Sequence, residues 1–72
     1  MKVGDLIIEI NKESMKFLHM SIVLEIRRCS QGAPLYHGWD FIRDIEVNYN
    51  KSTVEYYSKS KDYNFYIEVV EL

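Results

Sequence analysis

Between Ser21 and Arg27 the chain alternates strictly. Ile22, Leu24 and Ile26 fall on one side, and Ser21, Val23, Glu25 and Arg27 on the other. Successive side chains of a strand point to opposite faces, so this period of two predicts a half-buried β-strand with Leu24 in the core. The same pattern returns in Leu6, Ile8 and Ile10, in Ile45-Glu46-Val47-Asn48-Tyr49, and in Phe65, Ile67 and Val69 set against Tyr66, Glu68 and Val70. Alternating segments that fill so much of a 72-residue chain leave room for little besides short strands and tight turns. A helical stripe competes over Met15, Leu18, Ile22 and Ile26, with Ser14 as its cap. The β-branched pair Ile22-Val23 favours the strand.

The connections follow from residue type. Asn11 to Ser14 is a polar loop, and Cys29 to Pro34 is a turn or loop in which Pro34 cannot donate to a ladder. Asn50-Lys51-Ser52 is expected to turn a hairpin, with Thr53 to Tyr57 as its return strand. Ser58 to Asp62 is a loop, and Phe65 to Glu71 is the closing strand. The aromatic stretch Leu35 to Phe41, broken by Gly38, reads either as a presented loop or as a plug for one end of the core.

Composition agrees. Aromatic residues make up 14% of the chain and alanine occurs once, at Ala33, which suits pleated surfaces better than helices. With 47% hydrophobic and 28% charged residues, the chain reads as one globular domain. Nine Lys and Arg against eleven Asp and Glu give a net charge of −2, which disfavours generic binding to duplex nucleic acid. The single cysteine, Cys29, excludes an intrachain disulfide and a cysteine-rich zinc site. No apolar run reaches the roughly 20 residues of a membrane helix. Asp5 and Glu9 interrupt the first apolar stretch, against a signal peptide. The expectation is a small soluble domain of the cytoplasm.

No constellation for catalysis is visible. His19, His37 and Cys29 match no metal-ligand spacing. The carboxylate pairs Asp40 with Asp44 and Glu68 with Glu71 read as solvated faces. Gly4, Gly32 and Gly38 are too dispersed to cradle a phosphate. Neither an enzymatic activity nor a cofactor or metal is expected.

The order of the segments carries a resemblance. The opening Val3-Gly4-Asp5-Leu6-Ile7, the strand Ser21 to Ile26, the strand Ile45 to Tyr49, the aromatic pair Tyr56-Tyr57 and the close Ile67 to Glu71 resemble small SH3-like β-barrels. Such barrels occur as short bacteriophage proteins. This chain has Ser21 where those have glycine, Tyr49 where they have tryptophan, and a longer aromatic segment over residues 28–44. The resemblance implies an all-β barrel of about five strands, with at most one short helix. It also implies a non-enzymatic module that binds a partner on loops or on an exposed sheet face, for a phage product in the host cytoplasm.

Two sets of candidate contact residues follow. For a protein partner they are Tyr36, Trp39 and Tyr57 as aromatic anchors, with Arg28 and Arg43 as rim charges. For a single-stranded nucleic acid they are Lys51, Lys59 and Lys61 with Tyr56 and Tyr63, whose rings would stack on bases. The protein-binding module is the first expectation, and the nucleic-acid-associated domain is its alternative.

Overall fold

In the computed structural model, which describes residues 1–28, 30, 32–59 and 63–72, the chain forms five strands and one short helix. The strands are β1 (Leu6–Asn11), β2 (Phe17–Arg28), β3 (Pro34–Asp40), β4 (Ile45–Asn50) and β5 (Phe65–Val70), and α1 (Lys51–Lys59) follows β4. All strand pairs are antiparallel, in the order β4-β3-β2-β1-β5. The first four strands form a meander, and the fifth returns beside the first. The mostly β, five-stranded plan with one short helix is therefore the expected one. The helix touches β3, β4 and β5, and so spans the side between the two edge strands.

Partners in register share a face of the sheet. Ile7, Val23, Tyr36 and Ile67 form the inner face, and Val54 of α1 completes the buried core. Met1, Tyr49, Tyr57 and Val69 pack against that core. The opposite, outer face carries Leu6, Ile8, Ile10, Ile22 and Trp39.

Two turns share one design. Asn11 Oδ1 accepts the amides of Glu13 and Ser14 at 3.0 and 2.9 Å, and the Met15 amide donates to the Asn11 carbonyl at 2.8 Å. Asp40 Oδ1 accepts the amides of Ile42 and Arg43 at 2.9 and 3.1 Å, and the Asp44 amide donates to the Asp40 carbonyl at 2.8 Å. Met15 and Asp44 close the turns in the left-handed region, with φ of 59° and 58°.

The structure corrects several expectations. Thr53 to Tyr57 is helix, not the return strand of a hairpin. Asn50 ends β4 and caps the helix, its Oδ1 accepting the Thr53 amide at 2.8 Å. Val54 and Tyr57, three residues apart, then both reach the core. Leu35 to Asp40 is strand and not loop, with Pro34 as its first residue, where a missing donor is tolerated. Met15 to Ile26 carries no helix; β2 runs through most of it.

Leu24 is 50% exposed and lies outside the core. The inward face of β2 is that of Ser21 and Val23, so alternation leaves Leu24 on the other side with Ile22. The bulge between Val23 and Glu25 then reverses the facing of the residues that follow, and Ile26 pairs with the inward Tyr36. Gly38 lies opposite the bulge. A Cβ there would collide with the carbonyl oxygen of Ile22, so the backbones approach too closely for any side chain. Cys29, and with it part of the expected loop before Pro34, lies outside the described residues, as do residues 60–62 of the later loop.

Candidate interaction surface

The outer face is built by register. Trp39 pairs with Ile22, Ile22 with Leu6, and Leu6 with Val70. Four apolar side chains from four strands thus form one unbroken row, all partly exposed. Ile8 lies between Met20 and Glu68 in the adjacent row, and Ile10 between Phe17 and Tyr66 in the next. Helix α1 packs on the inner side through Val54. Among the described residues no second layer of helix or sheet lies over the row.

The residues expected to meet a protein partner are dispersed. Tyr36 is 5% exposed and belongs to the core, so its ring has no surface to offer. Trp39 is half-buried on the outer face. It stands in a strand, neither on a presented loop nor in the inner core. Tyr57 is half-buried on α1, its ring centroid 4.9 Å from that of Phe65. Arg28 is exposed near the end of β2, where its guanidinium donates to the Gly32 carbonyl at 3.0 Å. Arg43 is held in the β3–β4 turn, donating from Nε to Asp40 Oδ2 at 2.6 Å.

The residues expected to meet nucleic acid are partly brought together. The rings of Tyr56, Tyr57, Tyr63 and Phe65 form a cluster with centroid separations of 4.9 to 6.2 Å. Tyr56 and Tyr63 keep 55% and 40% of their surface exposed. Lys51 and Lys59 stand at opposite ends of the helix, about 12 Å apart along its axis. Lys51 Nζ is 3.7 Å from Glu55 Oε1. Lys61 lies outside the described residues.

A polar network was not foreseen. Asp40, expected on a solvated face, is fully buried. Burial pushes its carboxyl up, but the Arg43 guanidinium and the amides of Arg43 and Ile42 outweigh burial and hold it below the ordinary value. His19 stands between two carboxylates, with Nδ1 3.2 Å from Asp40 Oδ2 and Nε2 3.7 Å from Glu9 Oε2. The Nδ1 contact is not aligned as a hydrogen bond. Tyr49 donates to Glu9 Oε1 at 3.2 Å. Burial pushes the Tyr49 hydroxyl up and Glu9 adds to it, against the Ser21 hydroxyl. Only the pairing register places these residues together, so no single segment of the chain betrays them.

Among the described residues no group of three or more His, Cys, Asp or Glu side chains is placed to hold a metal ion. No described helix is long and apolar enough to cross a membrane. A cavity of about 180 Å³ opens beside α1, lined by residues including Tyr36, Val54 and Val69. It is smaller than ordinary small-molecule sites. Comparison with known proteins finds no matching family model, no matching curated protein and no matching solved structure.

Proposed function

We propose that this protein is a non-enzymatic protein-binding module that docks its partner on the outer face of the sheet, with Trp39 as the anchor. The observation that carries this reading is the row Trp39–Ile22–Leu6–Val70, apolar across four strands and only half-buried. Contiguous apolar surface costs solubility unless something covers it, and tryptophan contributes large contact area with few rotatable bonds. The test is to identify a partner by affinity purification and mass spectrometry, then to measure its affinity for variants. Trp39→Ala is expected to weaken binding about thirtyfold or more. Val70→Ala, near the end of an edge strand, weakens it less. Unchanged affinity in both variants, with folding confirmed by circular dichroism, rejects the outer face as the contact surface.

The second reading is a nucleic-acid-associated accessory domain. The cluster of Tyr56, Tyr57, Tyr63 and Phe65 favours it, because the exposed rings of Tyr56 and Tyr63 offer bases a stacking platform, with Lys59 on the same helix as Tyr56. It predicts binding to single-stranded DNA or RNA that falls steeply with salt. Such binding would be lost in the combined Lys51→Ala, Lys59→Ala and Lys61→Ala variant. Salt-insensitive binding, or none, sets this reading aside.

A further inference from the structure

We infer that the partner covering the outer face is a protein segment whose apolar residues are flanked by lysine or arginine. This rests on the proposed docking surface and adds the chemistry of what docks there. The charges around the apolar row are acidic. Glu46 of β4 is the register partner of Trp39, at one end of the row. Glu68 of β5 is the partner of Ile8, one row over at the other edge. Both are exposed, and neither makes an ion pair among the described residues. The cation that the strands place on this face, Arg27, is held by Glu25 at 2.8 Å and also feels Glu46, one charge against the three carboxylates Glu25, Glu46 and Glu68. His37 of the same face meets Asn48 Oδ1 at 3.1 Å. An apolar strip with carboxylates at both edges and one arginine shared between Glu25 and Glu46 keeps a net negative rim for a partner to match. Electrostatic matching of this kind sets the choice of partner and speeds encounter. A second copy of the chain fits poorly, because it would bring the same two carboxylates to the contact. Nucleic acid fits poorly for the same reason.

The probe is a displayed library of random short peptides, selected on the whole chain with Trp39→Ala as counter-selection. The expected consensus is an apolar centre with Lys or Arg on its flanks. The combined Glu46→Lys and Glu68→Lys variant should then bind a selected peptide about tenfold more weakly at low salt. Added salt should narrow that difference. A Trp39-dependent consensus with neutral or acidic flanks overturns the charge inference and leaves the docking surface intact. No Trp39-dependent peptide, with Val70→Ala equally silent, overturns both. Sedimentation of the free chain supplies the remaining arm: a dimer broken by Glu46→Lys or Trp39→Ala means that a second copy is the occupant.

Discussion

Arg43 Nε donates to Asp40 Oδ2 at 2.6 Å, while the other oxygen of the same carboxylate receives the amides of Ile42 and Arg43. One buried side chain thus shapes the β3–β4 turn and neutralises the arginine that follows it. Asp40→Ala removes all three acceptor contacts and is expected to cost about 2 kcal/mol or more. Asp40→Asn keeps an oxygen for the amides and loses the charge, so it should cost less. Chemical denaturation of the two variants checks the order. Equal stability to the parent in both would mean that the turn holds without its side chain.

Acid should unfold the protein through Asp40 and Asp5. The Lys2 amide depresses the Asp5 carboxyl against burial, helped by the Lys2 ammonium and the Leu72 amide. Both carboxyls lie below the ordinary value of 3.8 in the folded chain. The unfolded chain therefore takes up protons first as pH falls. The stability these groups give is complete above that ordinary value and is lost as pH drops through the folded values. Denaturation midpoints across an acid series should fall there, and Asp40→Asn should flatten part of the decline.

Gly38 has no room for a Cβ because the carbonyl of Ile22 occupies the space. Gly38→Ala must push β3 away from β2 beside the bulge. A loss of about 3 kcal/mol or more is expected, read as a large drop in thermal midpoint. A near-neutral variant would show that the strands separate there at little cost.

Leu24 and Ile7 test the two faces of the alternation. Leu24 is 50% exposed and Ile7 is 1% exposed. Leu24→Ala should change stability by about 0.5 kcal/mol, while Ile7→Ala should cost about 2–5 kcal/mol. Reversal of that order would place Leu24 back in the core.

Strands β1, β2, β4 and β5 were legible because alternation is a local property. Strand β3 was not, since Pro34 and Gly38 read as breakers. Both are explained by placement: Pro34 starts the strand, and Gly38 sits at a close backbone approach. The helix hid behind residues that favour strands, namely Thr53, Val54, Tyr56 and Tyr57. Its signal was Asn50 as a cap followed by Val54 and Tyr57 at helical spacing. Trp39 stands out in sequence through its residue type and its aromatic segment between Pro34 and Phe41, broken by Gly38. Its neighbours Ile22, Leu6 and Val70 became visible only with the register, because partners distant in sequence cannot be read from any one segment.

The meander with its returning fifth strand also dictates an order of assembly. The β1–β2 and β3–β4 hairpins close over short turns, each fastened by one Asn or Asp side chain, and such local loops form in microseconds. The β1–β5 ladder joins residues as far apart as Leu6 and Val70, and the Leu72 amide reaches Asp5 Oδ1 at 3.3 Å. Bringing those ends together costs the chain most of its loop entropy and yields contacts only at the end. A chain emerging from the ribosome therefore holds its hairpins before its sheet is whole, with the inner face of β1 waiting for Ile67 and Val69. Ile67→Ala should accordingly speed unfolding more than it slows folding, whereas Asp40→Ala should slow folding. Stopped-flow rates that show the opposite would place the closing strand in the nucleus.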